Sequence, residues 1–153
     1  MLMLYGPAVA EPSDPCPPMV IYTDGSCRPP SGPNARAGAG VFFGPHNAMN
    51  CAKRVTGAQT NNRGELYAIL VALQLCPMDR SVIIHSDSEY AINSITMWAP
   101  MNAKCGWSCA NGDLLRVIGS WIRARSARVV FKWVKGHAQN AHNEAADRLA
   151  DAG

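Results

Sequence analysis

The sequence predicts an α/β domain: one mixed sheet of five strands with helices packed on both faces. Three observations point to it. Strand-like stretches come first, at residues 19–26, 37–44 and 48–56, before any helical periodicity. From residue 62 onward, segments of helical and strand character alternate, and the order βββαβα…αβα calls for helices laid on a mixed sheet. The chain has 153 residues, 48% of them hydrophobic, which is one domain's length and enough to bury a core.

Each element follows from local signals. Residues 19–26 alternate, with Val20, Tyr22 and Asp24 on one face and Ile21 and Thr23 on the other. Residues 28–36 are rich in Pro, Gly, Ser and Asn and form a loop. Strands 37–44 and 48–56 meet at the turn Gly44-Pro45-His46-Asn47, which makes the first three strands antiparallel. A helix spans 62–75, with Thr60 or Asn61 as its cap. Glu65, Ile69 and Ala72 share one stripe of it, and Leu66, Leu70 and Leu73 the next. Glu65 has two readings there: a functional acid beside the core, or a complement to the helix dipole. Pro77 stops the helix. Residues 81–86 form a buried strand with Asp87 at its C-terminal end, where open α/β sheets bind ligands. Asp87 could equally cap the next helix, 88–97. A short helical piece carries Trp98 and Trp107, between breaks at Pro100 and Gly106. An amphipathic helix at 113–124, a strand at 128–134, a loop at 136–142 and a helix at 143–152 complete the chain. Residues 1–18 are expected to be a flexible, Pro-rich tail ahead of the domain at 19–153.

Composition excludes several classes. No apolar run approaches the ~20 residues of a membrane span. Residues 1–18 hold no Lys or Arg, which argues against a secretory or transit peptide and for an intracellular protein, cytoplasmic or nuclear. The six cysteines are then free thiols. Cys105 and Cys109 lack a second pair at zinc spacing. Nothing in the sequence predicts an oligomer, so a monomer is expected. The net charge of +3 is uneven. Residues 98–135 carry seven basic side chains and one acid, Asp113, a net +6 that leaves −3 for the rest. A basic stretch beside an acidic centre suits an enzyme that grips a polyanion, although such runs are often only solvated surface.

Four carboxylates stand in apolar or small-residue settings. Asp24 lies in Tyr22-Thr23-Asp24-Gly25-Ser26-Cys27, and Glu65 in Thr60-Asn61-Asn62-Arg63-Gly64-Glu65. Asp87 lies in Ser86-Asp87-Ser88. Asp147 lies in Asn143-Glu144-Ala145-Ala146-Asp147-Arg148-Leu149-Ala150, downstream of Trp133-Val134-Lys135-Gly136-His137. Converging like charges repel, and burying them is costly unless a cation neutralises them. Oxygen-only ligands favour hard cations such as Mg²⁺ or Mn²⁺.

In order and spacing, these segments resemble the type 1 ribonuclease H family, in a eukaryotic-like variant without an N-terminal hybrid-binding domain. The likeness runs from about residue 19 to 152. It implies a ribonuclease H-like fold and an endonuclease that cuts the RNA strand of RNA–DNA hybrids, leaving 3′-hydroxyl and 5′-phosphate ends. Two Mg²⁺ ions, with Mn²⁺ as a substitute, would be held by Asp24, Glu65, Asp87 and Asp147, with Asp24 bridging. His137 would transfer a proton and assist product release. By the same resemblance Gly25, Ser26, Cys27, Asn61 and Asn62 would meet the 2′-hydroxyls of the RNA strand. Trp98 would pack on deoxyribose, and Thr60 and Asn111 would hold a DNA phosphate. The chain departs from the family at Glu89, where a Gln is usual, and at 101–105, where lysines are sparse. Weaker hybrid binding, falling steeply with salt, is therefore expected. Two other readings are a retroelement or viral ribonuclease H domain and a non-catalytic hybrid-binding module. The complete histidine loop favours an autonomous enzyme over the first, and the complete carboxylate set argues against the second.

Overall fold

Strand β2 (Met19–Arg28) runs through the middle of the sheet, where the alternation read from its sequence sorts side chains between two helical layers. The computed structural model describes residues 2–3, 17–30, 32–97, 106, 109–135 and 141–153. Around β2 are β1 (Leu2–Met3), β3 (Arg36–Phe42), β4 (Cys51–Arg54), β5 (Val82–Ser86) and β6 (Val129–Trp133). The helices are α1 (Asn61–Leu75), α2 (Glu89–Thr96), α3 (Gly112–Ala124) and α4 (Ala141–Ala152). The sheet order is β1-β6-β5-β2-β3-β4. β2 pairs antiparallel with β3 and parallel with β5, so the sheet is mixed.

All five expected strands are present. The sixth, β1, adds Leu2 and Met3 antiparallel to Phe131 and Val130 on the outer edge of β6. It covers main-chain groups that a bare edge would leave open, and two residues are too few to show a period in sequence. The turn after β3 begins earlier than expected. Asn50 Oδ1 accepts from Phe43 N–H at 2.7 Å and Asn50 Nδ2 donates to the Gly44 carbonyl at 2.8 Å, so a side chain replaces the ladder there. Helix α1 starts one residue early because Thr60 caps it, its hydroxyl accepting from Arg63 N–H at 3.1 Å. The short helical piece expected around Trp98 and Trp107 lies outside the described residues.

Ile21 and Thr23 are fully buried, while Val20 on the opposite face is 45% exposed. A Cβ on Gly25 would overlap the backbone of Gly64 and Glu65, so the odd-numbered face of β2 meets α1. Cβ atoms on Gly38 and Gly40 would overlap the carbonyls of Ala150 and Ala146, so the even-numbered face meets α4. Helix α1 lies between the sheet and α3. Both of its apolar stripes are therefore covered, with Leu66, Ile69 and Leu73 fully buried. Each such side chain contributes about 1.5–3 kcal/mol relative to exposure. Arg125, counted in the basic stretch, is internal. It is buried just past α3 and donates to the carbonyls of Cys76, Pro77 and Arg80 at 3.4, 2.8 and 2.6 Å. It satisfies acceptors that the loop after α1 would otherwise bury unpaired.

Candidate active site

The parallel pairing of β2 and β5 ends at Thr23 opposite Ser86. One residue further along each strand stand Asp24 and Asp87, so the ladder's own register sets two carboxylates side by side. Beyond this point β2 continues with β3 alone, and the chain after β5 bends away into α2. The bend frees Asp87 from the capping role. Ser88 is the N-cap of α2, its hydroxyl accepting from Ala91 N–H at 3.1 Å.

Glu65 arrives from the other side. It is the fifth residue of α1, beyond the first turn, so dipole complementation does not explain it. The missing side chain at Gly25 lets the α1 backbone at Gly64 and Glu65 rest directly on β2. As a result Asp24, Glu65 and Asp87 each offer a carboxylate oxygen within 4.8 Å of the others. Asp24 is 5% exposed, Glu65 9%, and Asp87 half-buried. Asp147, half-buried on α4, flanks Asp24 closely enough to act on its charge.

The electrostatics follow from that crowding. Burial is the main cause that pushes the Asp24 carboxyl from 3.8 up to about 7, and the charges of Asp87 and Asp147 push the same way. Burial, then the Asp24 charge, holds Glu65 well above the usual carboxylate range. Gly25 N–H donates to Asp24 Oδ1 at 2.9 Å, while Glu65 Oε2 is buried without a hydrogen-bond partner. Oxygen-only donors, mutual repulsion and an orphaned buried oxygen together fit a divalent cation.

The other expected site residues are dispersed around this cluster. Gly25 and Ser26 are half-buried on β2, beyond the end of the β5 ladder. Cys27 is buried, and its thiol lies 3.3 Å from the carbonyls of both Pro29 and Gln59, so only its main chain remains for a ligand. Asn61 and Asn62 are exposed at the start of α1. Asn111 is the N-cap residue of α3, in the left-handed region at φ 58°, and donates to the Tyr90 hydroxyl at 3.0 Å. Trp98 and His137 lie outside the described residues.

One residue the sequence reading passed over joins Thr60 to Asn111. Arg63 is buried and makes a bidentate pair with Asp113 at 2.9 and 2.7 Å. It also donates to Asn111 Oδ1 at 3.4 Å and to the Thr56 carbonyl at 2.6 Å. The available signal was an arginine inside the Glu65 motif and a single acid, Asp113, in an otherwise basic stretch.

Buried acids at the broken end of a parallel strand pair, on a mixed sheet of this order, define a metal-dependent hydrolase of ribonuclease H-like fold. The family described as RNase H matches residues 17–153, and the chain belongs to that family. Ribonuclease H of Caulobacter sp. (strain K31) is 38% identical over 144 residues, covering 90% of this chain and 90% of that protein. Ribonuclease H1 of Mus musculus is 31% identical over 141 residues, covering 88% of this chain and 50% of the mouse protein. Among solved structures, LC9-RNase H1, described as a type 1 RNase H with the type 2 active-site motif, superimposes with a TM-score of 0.65. That match is 26% identical and covers 90% of this chain and 72% of the other.

Proposed function

We propose that Asp24, Glu65, Asp87 and Asp147 hold two divalent ions, Mg²⁺ or Mn²⁺, and that the RNA strand of an RNA–DNA hybrid is hydrolysed there to 3′-hydroxyl and 5′-phosphate ends. Hydrolysis of that strand is the activity of the ribonuclease H family, to which the chain belongs. The single observation carrying the metal assignment is the convergence of three carboxylates within 4.8 Å around a buried, unpartnered Glu65 oxygen. When bound, such ions activate a water and stabilise charge on the leaving oxygen. Asp24 is assigned the shared position, which its interactions with Glu65, Asp87 and Asp147 support. His137 is assigned proton transfer from its motif. Gly25, Ser26, Asn61, Asn62 and the Cys27 main chain are assigned to the RNA strand, whose 2′-hydroxyls distinguish it from DNA. Thr60 and Asn111 are assigned to a DNA phosphate, linked to each other by Arg63, whose charge is paired with Asp113, and Trp98 is assigned to deoxyribose. The described cysteines (27, 51, 76 and 109) are free thiols, which suits an intracellular protein. No helix among the described residues is long and apolar enough to cross a membrane.

The test is cleavage of a fluorescent hybrid with Mg²⁺, beside single-stranded RNA, RNA duplex and DNA duplex, for the wild type and Asp87→Asn. Ser88, not Asp87, caps α2, so the amide leaves the fold intact. The expected result is hybrid-only cleavage, reduced by about 100-fold or more in the variant as charge stabilisation is lost. A variant retaining more than about a tenth of the wild-type rate would contradict the assignment.

A further inference from the structure

We infer that Trp133 is a positioning residue: its indole N–H holds the main-chain carbonyl of Asp87 and so orients that carboxylate within the cluster. The inference rests on the metal-site reading above. The last register pair of the β5–β6 ladder is Ser86 opposite Trp133. Beyond it, Val134 N–H donates to the Ser86 carbonyl at 2.9 Å, and Trp133 Nε1–H donates to the Asp87 carbonyl at 3.1 Å. Consecutive carbonyls on one strand thus meet consecutive residues of the other, and the indole extends the grip of β6 by one residue past the ladder. That residue carries the carboxylate. The bend after it is fixed from within, Ser88 N–H donating to Ser86 Oγ at 3.1 Å and Ser88 Oγ capping α2. The Asp87 carbonyl and the Ser88 N–H belong to one peptide unit, held by Trp133 and Ser86 Oγ, while Val134 holds the preceding unit at the Ser86 carbonyl, so the Cα that carries the carboxylate is anchored between two fixed planes.

Packing does not account for this tryptophan. Its side chain is 51% exposed and borders an open cleft of about 370 Å³ with Glu89, Ile92 and Asn93. A phenylalanine would suit the strand and the half-covered surface as well. The indole N–H, a donor and never an acceptor, is the polar group that phenylalanine lacks.

The test is Trp133→Phe in the full chain, with three readouts: Mg²⁺ and Mn²⁺ affinity by calorimetry, metal-free Tm, and kcat and KM on a hybrid. The expected result is metal affinity weakened about five- to tenfold, the equilibrium worth of one neutral hydrogen bond. Metal-free Tm should fall by no more than about 2–4 °C, the worth of one hydrogen bond. At limiting metal kcat should fall, largely recovering at saturating metal, with KM for the hybrid within about twofold. In the unmodified chain, the indole N–H resonance absent from Trp133→Phe should shift on Mg²⁺ addition with the midpoint found by calorimetry. Should that variant not fold, Trp133→Leu takes its place. Unchanged metal affinity, or a lower Tm with unchanged affinity, overturns the positioning role while leaving the metal site standing. Absence of saturable metal binding in the wild type overturns both.

Discussion

At Asp24, burial and charge oppose each other, and the outcome depends on pH and on metal. The folded protein keeps a proton on this carboxyl up to about pH 7, whereas the unfolded chain releases it near 3.8. Between those values folding takes up a proton, so stability is greatest at the acid end, falls as pH rises through the window, and levels off above it. A displacement of this size has a ceiling of about 4 kcal/mol at 1.36 kcal/mol per unit, and Glu65 is driven in the same direction. The metal-free Tm should therefore drop between about pH 5 and pH 7.5, measured by thermal unfolding in a chelating buffer. Mg²⁺ should stabilise more at about pH 8 than at about pH 5.5, because protonated carboxyls do not ligate. Asp24→Asn should flatten the pH dependence, match or exceed the wild-type Tm above about pH 7 without metal, and abolish cleavage. An equally steep fall in that variant would place the titration elsewhere. On the proposed reading the site is a local source of instability that a bound cation would relieve.

At the scale of elements, close backbone packing aims the carboxylates. Asp24 and Gly40 are register partners, and a Cβ on Gly40 would overlap Ala146 O, with Leu149 Cβ at 2.9 Å. Asp147 follows Ala146 directly, so the bare β3 backbone lets α4 bring its carboxylate to Asp24. The exposed Arg28–Asp151 pair at 3.0 Å also joins β2 to α4, but solvent screens such a surface pair and it contributes little. Overpacking against a helix backbone costs about 1–3 kcal/mol, so the glycine contact dominates. Gly40→Ala should lower the unfolding free energy by that amount and cut kcat about tenfold or more even where the protein is fully folded, whereas Arg28→Ala should change neither much. Normal kcat in folded Gly40→Ala would show that α4 tolerates the shift. These contacts also mark the limit of what the sequence could reveal. Alternation sorted the residues of β2 into two faces, and motif order singled out the four acids, because both are local patterns. Whether Asp87 or Ser88 caps α2, whether Glu65 serves the dipole, and which helix crosses which glycine depend on positions far apart in the chain. The Asn50 side chain shortens β3, and the β1 pairing spans two residues, so neither leaves a periodic trace. Arg63 went unnoticed because its partner Asp113 is fifty positions away and sits within a basic run.

For the whole molecule, the question is which positive charges face the substrate. The net +6 of residues 98–135 suggested a gripping surface, yet its basic residues serve different ends. Arg125 is buried among main-chain carbonyls, and burial holds its pKa below the usual arginine value. Lys135 is exposed, two residues beyond the tryptophan that meets the Asp87 carbonyl and two before His137. Arg116, Arg123 and Lys132 are exposed as well. One phosphate contact from each of these four would give log K against log salt a slope of about −3.6. A slope steeper than this would mean that basic side chains outside these four, among them the exposed Arg36, Lys53 and Arg54, add contacts. Single variants separate the roles. Lys135→Ala should make the slope shallower by about 0.9 and leave Tm unchanged, as expected for one released phosphate contact. Arg125→Met should lose about 3 kcal/mol of stability, because its charged hydrogen bonds to three carbonyls vanish, yet leave the slope as in the wild type. Hybrid binding by fluorescence anisotropy across a salt series, paired with thermal unfolding, reads both effects at once. A slope change in Arg125→Met, or none in Lys135→Ala, would mean that the hybrid approaches from the α3 side of the molecule rather than past the end of β6.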